Sequence, residues 1–179
     1  QENYLTRLGN RPFMFGEPGI GKTALSLTRA YRRGARKVLI ITPASVRDQG
    51  QWELEMEKFG IHFDDVQVES HAWLQKLSER GYLQYQDWFV ILDECHRLGN
   101  SQSKQGQGAY LLTKVAKDYI LLSGTPMSNW AGAVNYAKIT GLVKHKTEFY
   151  KRFVIEQKAY AHKGMDIIGY RNEAELADW

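Results

Sequence analysis

Short apolar runs alternate with amphipathic stretches along most of the chain. The apolar runs predict buried strands over Pro12–Phe15, Lys37–Thr42, Val66–Ser70, Trp88–Leu92 and Tyr119–Leu122. Apolar residues spaced three and four apart predict helices over Lys22–Arg33, Gln51–Phe59, Ala72–Arg80, Ala109–Ala116, Ala131–Thr140 and Thr147–Phe153. This alternation is typical of an α/β fold, in which a mostly parallel sheet carries helices on both faces.

Glycine-rich and polar stretches mark the connections between these elements. Gly34 and Gly60 follow two of the helices at the position where a left-handed residue ends a helix. The stretch Gly99–Gly108 predicts a mobile loop. Residues 160–170 are compatible with a hairpin or with a flexible connector, and residues 172–179 predict a short helix. We therefore expect one domain over residues 1–153 and a connector over residues 154–179.

Composition narrows the class of protein. The 179 residues suit a single domain, and no apolar run approaches the ~18 residues needed to span a membrane. The single cysteine, Cys95, excludes an internal disulfide and a multi-cysteine zinc site. The net charge of +4 is a mild lean toward polyanionic partners. We expect no membrane association, and a location in the cytoplasm, or in the nucleus if the source is eukaryotic.

Residues 16–23, which read GEPGIGKT, match the phosphate-loop pattern in full. Gly19 and Gly21 let successive backbone N–H groups face one anion, and the following helix directs its positive end at the same point. Lys22 can reach the β- and γ-phosphates of ATP, and Thr23 offers a hydroxyl to Mg²⁺. The predicted nucleotide-binding residues are Gly16, Glu17, Gly19, Ile20, Gly21, Lys22, Thr23 and Ala24. A strand before and a helix after the loop favour this interpretation over a chance glycine-rich turn.

A pair of carboxylates follows the most apolar of the later strands. Asp93 is the candidate ligand for Mg²⁺ together with Thr23, and Glu94 is the candidate base that orients and deprotonates the attacking water. A polar turn at a strand end is the alternative, and the phosphate loop weighs against it. Cys95 beside His96 is a poor nucleophile–base pair, because neighbouring residues at a strand end point in different directions.

These motifs, taken in order, resemble those of the superfamily-two helicases. Residues 16–23 are similar to motif I, Asp93–His96 (DECH) to the DEAD/DEAH box, and Ser123–Thr125 (SGT) to motif III. Residues 42–45 are similar to motif Ia, and Ser70–His71 falls where motif Ib is expected. Within that superfamily, DECHRLGN and SGTPMSN resemble the Swi/Snf family of double-stranded-DNA translocases. The chain departs from that family in its Glu17-Pro18 and lacks a clear adenine-reading motif upstream.

The resemblance implies a RecA-like ATP-binding lobe that works against a second lobe of the same parent chain. It implies catalytic roles for Lys22, Asp93 and Glu94. His96, Ser123 and Thr125 would couple the state of the nucleotide to the DNA. The implied contacts to the double-stranded-DNA backbone are Thr42, Pro43, Ser45 and Ser70. Such contacts suit a motor that moves regardless of sequence.

Three other functions remain open from the residues. A small-molecule P-loop kinase shares the phosphate loop but does not need the DECH or SGT segments. An ATP- or nucleic-acid-binding module without turnover would keep the fold and lose the chemistry. A DEAD/DEAH-box RNA helicase lobe would differ only in its nucleic acid.

Overall fold

The computed structural model describes residues 12–17, 19–125, 130–158 and 165–178. Its centre is a parallel sheet of five strands in the order β1-β5-β4-β2-β3. The strands are β1 (Phe13–Phe15), β2 (Lys37–Thr42), β3 (Asp65–Ser70), β4 (Phe89–Leu92) and β5 (Asp118–Ser123). All four pairings between them are parallel, which confirms the predicted parallel sheet. The strand boundaries lie within one or two residues of those expected from the apolar runs.

Helices cover both faces of the sheet because both faces are apolar. On β2, Val38 and Ile40 belong to one buried cluster, while Leu39 and Ile41 belong to the other. The first cluster includes side chains of α1 (Lys22–Arg32) and α3 (Gln51–Phe59), and α2 (Ala44–Asp48) precedes α3. The second includes side chains of α4 (Lys104–Val115), α5 (Val134–Thr140) and α6 (Lys146–Phe153). Consecutive apolar residues on a strand are thus explained by burial on two sides.

Two glycines end helices as the sequence predicts. Gly34 has a φ of +67°, its N–H donates to the carbonyl of Tyr31, and the next N–H donates to the carbonyl of Ala30. Gly60 ends α3 in the same way, with a φ of +60°. A residue with a Cβ is strained at such φ values, so glycine is the residue that fits.

The prediction of a helix over Ala72–Arg80 is wrong. The structure instead has two 3₁₀ segments, His71–Gln75 and Glu79–Tyr85, separated by a break. Ser78 caps the second segment, since its side chain accepts a hydrogen bond from the N–H of Gly81. The hydroxyl of Tyr82 donates to the carbonyl of Leu74 and joins the two segments. Tertiary contacts therefore replace the continuous helical ladder that the apolar spacing indicated.

The prediction of a mobile loop over Gly99–Gly108 is also wrong for the second half of that stretch. Helix α4 begins at Lys104, five residues before the predicted start, and the side chain of Ser103 accepts a hydrogen bond from the N–H of Gly106. A Cβ on Gly106 would lie 2.1 Å from the carbonyl oxygen of Asn100. Glycine is present here because the backbone of α4 packs closely against its neighbours, and not because the segment moves.

The C-terminal residues form a hairpin and a helix. Strands β6 (Val154–Lys158) and β7 (Met165–Tyr170) pair antiparallel, and α7 spans Glu173–Asp178. Of the two interpretations of residues 160–170, the hairpin is therefore confirmed for its described part. The division of the chain at residue 153 stays a prediction. Within the described ranges, no helix is long and apolar enough to cross a membrane.

Candidate nucleotide site and its surroundings

The carboxyl ends of the parallel strands surround a cleft of about 680 Å³. The cleft brings together the phosphate loop and the acidic strand end, although about 70 residues separate them in sequence. Its predicted site residues are Gly19, Gly21, Lys22, Thr23, Ala24, Asp93 and Glu94. The opposite wall is formed by α3 and by Val46 of α2. In open α/β sheets this edge is where ligands bind.

The phosphate loop has the curled backbone that its glycines predict. Gly19 and Gly21 have φ values of +87° and +83°, which place both in the left-handed region. The ammonium of Lys22 donates hydrogen bonds to the carbonyls of Gly16 at 2.8 Å and Glu17 at 3.0 Å. The side chain of Ile20 is exposed at the tip of the loop. The lysine therefore lies across the loop, within reach of an anion held by its N–H groups.

A backbone hydrogen bond ties the phosphate loop to the motif III strand. The N–H of Gly16 donates to the carbonyl of Ser123 at 3.1 Å. Strand β1 also pairs with β5, placing Phe15 beside Ser123. The loop and the SGT segment therefore leave the sheet side by side.

Asp93 is held by both of its carboxylate oxygens. The hydroxyl of Thr42 donates to Oδ2 at 2.8 Å, and the N–H of Glu94 donates to Oδ1 at 2.9 Å. Burial raises the pKa of the Asp93 carboxyl, while the hydrogen bond from Thr42 acts in the opposite direction. A carboxylate that is partly desolvated and fixed by two donors is preorganised to receive a cation.

Glu94 adopts a backbone conformation that is rare for a residue with a side chain. Its φ of +46° and ψ of +47° place it in the left-handed region, directly before the 3₁₀ segment Cys95–Leu98. Its carboxylate lies 3.1 Å from Nδ1 of His96 and is about one-third exposed. The strained turn thus directs the candidate base into the cleft while the next residue is buried.

His96, Ser123 and Thr125 form one hydrogen-bonded group. Nδ1 of His96 lies 3.0 Å from the hydroxyl of Ser123, and that hydroxyl accepts a hydrogen bond from the N–H of Thr125 at 3.1 Å. Since Glu94 also contacts Nδ1 of His96, the group connects the candidate base to the motif III segment. The structure therefore brings together the three residues that the family resemblance links in coupling.

His71 is a member of the site that the sequence interpretation did not select. Its Nε2 lies 2.7 Å from the backbone carbonyl oxygen of Asp93. Because a carbonyl only accepts, Nε2 carries the hydrogen in this contact. Burial lowers the pKa of His71, and the hydrogen bond to Asp93 works in the opposite direction. Its place directly after Ser70 in motif Ib was the only signal in the sequence.

The four predicted DNA-contact residues differ in their exposure. Thr42 is fully buried and donates to Asp93, and Pro43 and Ser70 are also buried. Ser45, in the first turn of α2, exposes its side chain. The structure therefore places Thr42 in the acidic strand end and leaves Ser45 as the side chain of this set that faces solvent.

Cys95 packs into the core below the site. Its side chain is fully buried, and burial raises the pKa of its thiol to about 12. A thiol in this environment stays protonated at neutral pH and is a poor nucleophile. The geometry agrees with the sequence argument against a Cys95–His96 pair.

The residues of the cleft fit Mg²⁺ and a nucleoside triphosphate. Mg²⁺ is commonly held by one or two protein oxygens together with substrate phosphates, and Thr23 and Asp93, which line one cleft, would supply such oxygens. No cluster of three or more potential metal-ligating side chains occurs among the residues that the structure describes. The two oxygen ligands of Thr23 and Asp93 would suit a metal that arrives with phosphates.

Comparison with known families adds independent information. Residues 63–147 match the model of the SNF2-related domain, a segment that includes the acidic strand end and motif III and begins after the phosphate loop. Just under half of the chain therefore matches the SNF2-related domain. The resemblance to the Swi/Snf family and to superfamily-two helicases is thereby confirmed.

Two proteins from distant organisms are similar to this chain in sequence. A Drosophila melanogaster protein named SWI/SNF-related matrix-associated actin-dependent regulator of chromatin subfamily A-like protein 1 is 32% identical over 125 residues. That match covers 62% of this chain and 17% of the fly protein. A Bacillus subtilis (strain 168) protein named uncharacterized ATP-dependent helicase YqhH is 31% identical over 145 residues, which cover 72% of this chain and 25% of YqhH. The chain thus spans a quarter or less of the length of these relatives.

A solved structure shares the fold of this chain. The SWI2/SNF2 ATPase core of Sulfolobus solfataricus, in complex with double-stranded DNA, superposes with a TM-score of 0.65 at 22% identity. The match covers 84% of this chain and 36% of that core. The predicted RecA-like α/β fold is confirmed.

Proposed function

We propose that this chain is the first ATP-binding lobe of an ATP-dependent translocase that moves on double-stranded DNA. The observation that carries the proposal is the single cleft in which the phosphate loop, Asp93 and Glu94 face one another at the carboxyl edge of the sheet. The SNF2-related match over residues 63–147 supports the same conclusion. A motor of this kind would work in the cytoplasm, or in the nucleus of a eukaryote.

Each residue of the cleft has a defined task in this proposal. The N–H groups of the phosphate loop and the ammonium of Lys22 bind and orient the phosphates. Thr23 and Asp93 supply oxygens to Mg²⁺, which neutralises charge on the phosphates when it is bound. Glu94 orients the attacking water and accepts its proton. His96 lies against Glu94 and Ser123, so it would report the state of the nucleotide to the motif III segment.

Contact with DNA would occur along the same edge of the sheet. Ser45 exposes its side chain in the first turn of α2, and serine hydroxyls commonly contact phosphate oxygens. We propose that this corner and the turn after Ser70 touch the sugar-phosphate backbone. Such contacts carry no sequence information, which suits a translocase.

Turnover would require a second RecA-like lobe of the parent protein. P-loop motors of this type complete their site across two lobes that close around ATP. Arginine fingers supplied from outside the P-loop domain contribute about 10³–10⁵ in rate in related systems. We therefore expect the 179-residue chain alone to bind ATP weakly and to hydrolyse it slowly.

The deciding experiment is ATP hydrolysis by the full-length parent protein with duplex DNA, with RNA and with neither. We expect duplex DNA to raise kcat, and Glu94→Gln to abolish the stimulated turnover while ATP still binds. The conservative change keeps the size of the side chain and removes the base.

Three outcomes would contradict the proposal in different ways. Hydrolysis that ignores both nucleic acids, or that follows a small-molecule acceptor, would favour a P-loop kinase. Stimulation by RNA alone would identify a DEAD/DEAH-box-like helicase. ATP binding without turnover in the full-length protein would leave a binding module.

A further inference from the structure

The peptide bond between Asp93 and Glu94 is held at both of its polar ends. Its carbonyl oxygen, which belongs to Asp93, lies 2.7 Å from Nε2 of His71. Its N–H, which belongs to Glu94, donates to the Asp93 carboxylate at 2.9 Å. These two contacts fix the rotation of the peptide plane that joins the candidate metal ligand to the candidate base.

The rotation of this plane matters because it determines the direction of Glu94. A φ of +46° is disfavoured for any residue with a Cβ, and such conformations persist only where surrounding contacts impose them. Without the hydrogen bond from His71, the peptide could rotate toward a relaxed conformation. The carboxylate of Glu94 would then leave its position 3.1 Å from His96.

His71 belongs to a different part of the molecule from the cleft that it supports. It is the first residue after β3, and it opens the 3₁₀ segment His71–Gln75. The residue before it, Ser70, pairs with Thr42 across the sheet, and Thr42 in turn holds the Asp93 carboxylate. A movement of this corner would therefore reach Asp93 through the ring of His71.

We propose that His71 is a positioning residue that holds the Asp93–Glu94 peptide and transmits contact at the Ser70–Gln75 corner to the hydrolytic base. The inference rests on the proposed function, because it assigns the base role to Glu94. It adds a physical route by which duplex DNA stimulates hydrolysis. The ring of His71 acts through a hydrogen bond to the backbone and does not line the cleft that contains the phosphate loop.

The test uses the full-length parent protein and two pairs of variants. His71→Phe keeps a ring of similar shape but removes the donor. His71→Gln places an amide N–H near the position of Nε2, whereas the side chain of His71→Asn is one methylene shorter. His62→Phe is the matched control, since His62 is exposed ahead of β3. The readouts are kcat and KM for ATP with and without duplex DNA, and the melting temperature of each variant.

We expect His71→Phe to lower the DNA-stimulated kcat by about 10- to 100-fold, the effect typical of residues that orient a catalytic ligand. KM for ATP should change little, because the phosphate loop is untouched. His71→Gln should recover much of the loss and His71→Asn little of it. His62→Phe should behave as the wild type.

A wild-type kcat for His71→Phe would overturn the inference. Equal kcat values for His71→Gln and His71→Asn would also overturn it, because only a hydrogen bond to the Asp93 carbonyl depends on the length of the amide side chain. This comparison remains informative even if His71→Phe fails to fold. Glu94→Gln, measured in parallel, distinguishes a failure of the proposed function from a failure of the role assigned to His71. If Glu94→Gln keeps stimulated turnover, the proposed function itself fails. If Glu94→Gln is inactive and His71→Phe is not, only the role of His71 fails.

Discussion

The carboxylates at the two ends of the parallel sheet have different kinds of partner. At the amino end, carboxylates pair with guanidinium groups: Arg36 contacts Asp64 at 2.5 Å and Arg33 contacts Asp118 at 3.8 Å. At the carboxyl end, Asp93 is held by a hydroxyl and a backbone N–H, and Glu94 lies against His96. Neither of these two carboxylates is in an ion pair with a lysine or arginine among the residues that the structure describes.

The difference indicates which end is prepared for a ligand. A carboxylate whose charge is neutralised by a guanidinium group attracts a further cation only weakly. A carboxylate that is oriented by neutral donors keeps its charge available and its position fixed. The amino end of the sheet therefore has carboxylates in ion pairs, whereas the carboxyl end has carboxylates that are available to a ligand.

The largest expected effect is a difference in kcat between variants of two lysines, one at each end of the sheet. Lys22→Ala in the full-length protein should lower the kcat of ATP hydrolysis by about 10²–10³-fold, as expected when a preorganised charge that faces the phosphates is removed. Lys117→Ala removes an exposed lysine at the amino end and should leave kcat unchanged. Both rates are measured with duplex DNA present. Similar losses in the two variants would remove the distinction between the ends.

A smaller effect concerns the neutral donor of Asp93. Thr42→Val keeps the shape of the side chain and removes the hydroxyl that donates to Oδ2, so the free energy of unfolding should fall by about 1–3 kcal/mol. Thr28→Val is the control, because the Thr28 hydroxyl donates only to the carbonyl of Ala24 in its own helix. The urea midpoints of the two variants give the measurement. Equal midpoints would show that the hydroxyl of Thr42 does not support the carboxylate.

The smallest effect belongs to the amino end. Arg36→Ala should cost only about 0.2–1 kcal/mol of stability, because Arg36 is 82% exposed and water screens its pair with Asp64. The loss should shrink further at high salt. Urea unfolding at two NaCl concentrations, in a double-mutant cycle with Asp64→Ala, isolates the pair. A coupling well above this range would mean that the amino end is also energetically specialised.

Much of the fold follows from the sequence because its signals are local. The strands are apolar on both faces, the phosphate loop needs glycines at fixed spacing, and Gly34 and Gly60 end their helices through backbone geometry alone. The meeting of the phosphate loop with Asp93 and Glu94 also follows, since the carboxyl ends of parallel strands share one edge.

The remaining features depend on contacts between distant segments. Glycine-rich composition indicated a loop before Ala109, but Gly106 and Gly108 are buried where α4 packs closely against its neighbours. His71 gave no chemical signal, because its partner is a backbone carbonyl 22 residues away. Thr42 was assigned to DNA contact from its motif, and its burial against Asp93 became visible only in three dimensions.

The order of the strands has a consequence for how the protein is made. Strand β1 carries the phosphate loop near the start of the chain, yet its partner in the sheet is β5, which ends at Ser123. A ribosome therefore releases β2, β3 and β4, which can pair among themselves, well before β1 can be seated. Closing so long a stretch of chain is entropically costly and slow. The nucleotide loop should thus be among the last parts of the domain to assemble during synthesis, and ATP can bind only after that step.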